Sequence, residues 1–167
     1  LLTRNSSAYS NVVSKEDEVD RLYFLVSRQV FLALSNSSLL SELGLTPSDC
    51  LYYFKVVSCL EKMGDDLVKA SAYLNSTTGV DERFLKKVKE FNDLCCSMHS
   101  RAFNSFFDRD VKTALSVLND ARSLVQKHVL LEKKLSNEAF QIGVALDSLH
   151  RIGLLAIEVA EVVVDRG

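Results

Sequence analysis

One proline and six glycines in 167 residues leave little material for turns, which argues against many short strands and favours few, long helices. Long hydrophobic runs are missing too. The most apolar stretch, "GLLAIEVAEVVV", is broken by Glu158 and Glu161 and is too short to cross a bilayer. No secretory or transit signal opens the chain. Four cysteines without one (Cys50, Cys59, Cys95 and Cys96) imply reduced thiols in a cytoplasmic protein rather than a disulfide framework. A net charge of −2 and a pI of about 5.9 argue against attraction to nucleic acid or an anionic membrane. Neither direct nucleic-acid binding nor membrane insertion is therefore expected. Catalytic signatures are also wanting. There is no Gly-rich phosphate loop and no Ser-His-Asp pattern, and no Glu is followed three residues on by His, as a di-iron carboxylate bundle requires. The nearest match, Asp147 with His150, stands alone, and His99 and His128 have no acid or nucleophile at motif spacing. The expectation is a protein that is not an enzyme. The first residue is Leu1 rather than methionine, which suggests a fragment of a longer chain.

What is present is helical periodicity. Hydrophobic residues make up 47% and charged residues 25%, an ordinary globular composition. The spacing of apolar residues predicts five helices. The first runs from about Asn5 to Leu34, with Val19, Leu22, Val26, Val30 and Ala33 on one face, and "SNSSLLSELGL" breaks it. The second opens on "TPSD", with Thr46 as N-cap, Pro47 in the first turn and Asp49 at the capping-box position. Its stripe is Tyr53, Val57, Leu60, Gly64, Leu67, Ser71 and Leu74. After the linker "NSTTG", with Gly79 as a helix stop, a third helix from 81 to 107 carries Phe84, Val88, Phe91, Cys95, Met98, Ala102 and Phe106. Cys95 and Met98 lie on that stripe, so "CCSMH" reads as packing rather than ligation. "FDRD" leads into a fourth helix, 109 to 134, and Ser136 or Asn137 caps a fifth, 137 to 165. Short connections make neighbouring helices antiparallel, giving an all-α, elongated antiparallel bundle.

A shift of 89 residues lays "LEKMG" of the second helix on "LHRIG" of the fifth, aligning Leu60 with Leu149, Lys62 with Arg151, Met63 with Ile152 and Gly64 with Gly153. The chain thus reads as a tandem repeat, residues 1–76 forming a first unit with two helices and 80–167 a second with three. In the first unit, Glu16 and Asp20 share a helix face, as do Glu61 and Asp65. One pair lies about 16 residues before its helix ends and the other about 15 after its helix begins, so an antiparallel hairpin sets them at one height. Four carboxylates would then make an oxygen-rich site suited to hard cations such as Mg²⁺, Mn²⁺, Ca²⁺ or ferric iron. A solvated acidic face accounts for the same residues, with Lys15, Arg21 and Lys62 as partners. With 22 acidic residues, chance alone gives about three such pairs, and Glu161 with Asp165 is a third. The second unit has His150 and Leu154 where the first has Glu61 and Asp65.

"EDEVDRLYFLVSRQV", followed by "LEKMGDDLVKAS" and its weaker copy "LHRIGLLAIEVAE", resembles the PhoU family of phosphate-signalling regulators, in particular the archaeal type in which PhoU repeats follow an AbrB-type segment. The resemblance implies tandem three-helix repeats, of which the first is incomplete here, and a module regulating phosphate uptake through protein contacts. Its partners would be phosphate transporter or sensor components, or a second copy in a homodimer. For some members it also implies iron or another hard divalent or trivalent cation on acid-x-x-x-Asp pairs, here Glu16 with Asp20 and Glu61 with Asp65. The competing expectation is the sensing or dimerising helical half of a transcriptional regulator whose DNA-binding segment lies upstream.

Overall fold

The computed structural model describes residues 6–135 and 140–166. Among them the chain forms α1 (Ser6–Leu34), α2 (Ser37–Glu42), α3 (Pro47–Ser76), α4 (Glu82–Asp108), α5 (Val111–Glu132) and α6 (Phe140–Arg166), with no strand. The expected caps at Ser136 or Asn137 and the start at Asn5 fall outside the described residues. The five long helices match those read from periodicity. The six-residue α2 is an addition, nucleated where Asn36 Oδ1 accepts from the amides of Ser38 and Leu39.

The helix ends follow their local chemistry. Thr46 and Asp49 form the reciprocal capping box at the start of α3, with Pro47 in its first turn. Hydrogen bonds from the Thr46 hydroxyl and amide, joined by Arg166, hold the Asp49 carboxyl down to about 2. Arg166 belongs to the last turn of α6 and donates to Asp49 at 2.6 Å while lying over the rings of Tyr53 and Phe106. That contact clamps one end of the bundle. Asp110 caps α5 through the amide of Thr113 after Arg109 takes the left-handed conformation that closes α4.

α6 is the hub, packed against α3, α4 and α5, while α1 lies on the far side of α3. A helix surrounded in this way must be apolar on most sides. α6 accordingly buries Ile142, Leu146, Leu149, Ala156, Val159 and Val163, among others. Large core side chains such as Phe91, Met98, Leu124 and Leu146 are almost fully buried, each contributing about 1.5–3 kcal/mol. Cys95 joins them, and burial pushes its thiol up to about 12. The α4 stripe packs as its spacing predicts.

The α3 stripe needs correction. Its buried residues are Cys50, Val56, Cys59, Met63, Asp66 and Ala70, whereas Leu67 is exposed and Tyr53, Val57, Leu60, Gly64, Ser71 and Leu74 are half-buried. The reason is that α3 lies between two neighbours. Gly64 approaches α1, while Asp66 meets α6. Leu22 also departs from expectation, lying on an open side of α1 at 57% exposure.

The two aligned glycines differ in what surrounds them. A Cβ on Gly64 would lie 3.5 Å from Glu16 Cγ and 3.8 Å from Val19 Cγ1, ordinary contacts. On Gly153 it would lie 2.7 Å from both methyl carbons of Leu124, which is fully buried. Gly64→Ala should therefore stabilise the protein by about 1 kcal/mol through helix propensity. Gly153→Ala should destabilise it by about 1–3 kcal/mol through overpacking. Urea denaturation measures both, and equal effects at the two positions would contradict the close α5–α6 crossing.

Candidate functional site

α1 and α3 cross where Gly64 leaves room for the side-chain stem of Glu16. Glu16 and Asp20 come from α1 and Glu61 and Asp65 from α3; the first three are half-buried and Asp65 is exposed. Burial, followed by the charges of Asp20, Asp65 and Asp17 and a hydrogen bond shared with Asp65, pushes the Glu16 carboxyl above its ordinary value. Burial, then Asp65 and Asp20, does the same to Glu61, with Lys62 pulling the other way. The two acid pairs thus sense one another across the helix boundary.

Two of the three cations that a solvated face would use are engaged elsewhere, while Lys62 acts on Glu61. Lys15 bridges to Glu18 at 2.8 Å, and Arg21 Nε donates to the Asp17 carbonyl at 3.0 Å. Clustered carboxylates, of which Glu16 and Glu61 have raised proton affinity, form a donor set that fits a hard, oxygen-seeking cation. Their oxygens do not reach the spacing found elsewhere. Among the described residues, three metal-competent donor atoms within 4.8 Å of one another occur at His128, Glu132 and Asp147.

That second constellation escaped the sequence reading. His128 and Glu132 are four residues apart on α5, and Asp147 and His150 three apart on α6. His128 Nε2 lies 3.1 Å from Asp147 Oδ1, and its Nδ1 lies 3.7 Å from Glu132 Oε2. The His150 ring stacks on His128 with centroids 4.1 Å apart. The available signal was His-x-x-x-Glu facing Asp-x-x-His across a helical hairpin.

One further polar feature joins α3 to α6. Arg151 Nε donates to both carboxylate oxygens of Asp66, at 3.0 and 3.1 Å, and its Nη2 also reaches Oδ1. Asp66 is 4% exposed. Lys55 on α3 pairs with Glu158 on α6 along the same boundary.

Residues 1–73, which contain α1 and all but the last turn of α3, match the family model of the PhoU domain. No curated protein matches the chain significantly. No helix among the described residues is long and apolar enough to cross a membrane. The segment that carries the four clustered carboxylates, residues 1–73, is thus the part of the chain that is similar to the PhoU domain family.

Proposed function

We propose that the chain is a non-catalytic regulatory module that takes part in controlling phosphate uptake, in the cytoplasm, by docking on protein partners. In this reading residues 1–76 and 80–167 are two related units. A hard cation of the iron class braces α1 against α3 through Glu16, Asp20, Glu61 and Asp65. The observation that carries the reading is the convergence of these carboxylates from two helices within the family-matched segment. Docking is supported by the outer surface of α1, where Phe24 is 68%, Phe31 58% and Leu32 57% exposed. Apolar groups of this size gathered on one helix are characteristic of a face that meets another protein. Partners would be components of a phosphate transporter or sensor, or a second copy of the chain.

Phosphate uptake in the native host tests this. Deleting the gene should change how uptake responds to external phosphate. The wild-type gene should restore the response, and a Phe24→Glu, Phe31→Glu variant of unchanged helicity should not. An unaltered uptake response in the deletion strain would contradict the proposal.

A further inference from the structure

The acidic cluster leaves the His128 region unexplained. His128 is 7% exposed, an unusual burial for an imidazole placed between two carboxylates. A neutral imidazole has one N–H and one lone pair. It can donate to Asp147 or to Glu132, but not to both. The remaining ring nitrogen then faces a carboxylate oxygen with no hydrogen between them, unless a second proton or a cation supplies the missing positive charge. Close beside it, His150 Nε2 is buried without a hydrogen-bond partner.

We infer that His128, Glu132 and Asp147 form a binding site for a borderline divalent cation of the zinc class, at the α5–α6 boundary, with the His150 ring stacked beside it. The donor atoms of the first three already lie within 4.8 Å of one another. The 3.1 Å between His128 Nε2 and Asp147 Oδ1 is near the edge length of a tetrahedron of ligands about 2.0–2.1 Å from a central ion. Mixed imidazole and carboxylate donors suit zinc, cobalt and nickel better than calcium or magnesium. Phe91, 1% exposed, places its ring 6.0 Å from that of His128 and shields the buried side. Glu132 and Asp147 are exposed and leave the other side open for an ion to enter. The site shares no residue with the carboxylate cluster of α1 and α3, so the proposal stands independently of the proposed function.

The test uses the whole chain, without a histidine tag, carrying Asp65→Asn so that the acidic cluster is weakened. Cobalt(II) should bind at one ion per chain, with a visible absorption band that zinc(II) abolishes by displacement. Glu132→Gln and Asp147→Asn, both at exposed positions, should each weaken zinc binding at least about tenfold, since even groups outside the ligand shell carry effects of that size. His150→Ala should also weaken it. Circular dichroism should be unchanged in the carboxylate variants, which separates lost ligation from lost folding. Zinc binding equally tight in Glu132→Gln, Asp147→Asn and their parent would overturn the site. So would the absence of cobalt and zinc binding by the parent.

Discussion

Replacing Arg151 with methionine should lower the unfolding free energy by about 3 kcal/mol, although the arginine side chain is itself 56% exposed. The loss arises on the other helix. Asp66 is 4% exposed, and its carboxylate is held by Nε and Nη2 of Arg151. Removing the guanidinium leaves a buried negative charge without compensation, which costs far more than the pair contributes while intact. The value lies at the low end for such a loss because the arginine end of the pair is already open to water. For a chain of this size, 3 kcal/mol corresponds to a fall in melting temperature of about 6–12 °C. Asp66→Asn should cost only about 1 kcal/mol, because the amide oxygen still accepts from Arg151 and the freed guanidinium charge reaches solvent. The double variant Arg151→Met, Asp66→Leu should recover much of the loss, since an apolar pair of similar volume needs no compensation. Calorimetric melting of the three variants checks this order. Equal, small effects for Arg151→Met and Asp66→Asn would contradict a buried ion pair joining α3 to α6.

Much of the fold was legible because the signals were local. The Thr46, Pro47 and Asp49 run specifies where α3 starts by satisfying amides that the helix itself leaves free. The α4 stripe was readable because α4 presents a single face to its neighbours. α3 misled because it is covered on two sides, and a helix with two buried faces has no single stripe to find. α2 was too short for periodicity to register; one side-chain cap at Asn36 starts it.

The same distinction applies to the sites. Glu16 with Asp20 and Glu61 with Asp65 are i, i+4 pairs, and counting residues to the turn was enough to place them at one height. The Asp66–Arg151 contact joins residues 85 positions apart on helices with no short connection between them. The α5–α6 cluster was missed for another reason. Its histidine and its acids satisfy no single motif, and only the packing of one helix on the other makes them neighbours.

The central claim is that Glu16, Asp20, Glu61 and Asp65 act as one cation site, and melting with and without a hard cation tests it most directly. Without a cation, burial and then the repulsion of neighbouring carboxylates make Glu16 and Glu61 hold protons more tightly than usual. A cation that binds only the folded chain relieves that repulsion and adds stability by mass action. At 100 times its dissociation constant, manganese(II) should stabilise the wild-type protein by about 2.7 kcal/mol. Asp65→Asn should abolish most of that gain. Asp165→Asn, in the acid pair near the C-terminus that has no facing partner pair in the sequence reading, should leave it intact. An equal rise in melting temperature for wild type and Asp65→Asn, or no rise in either, would contradict the account and return these carboxylates to the solvated surface.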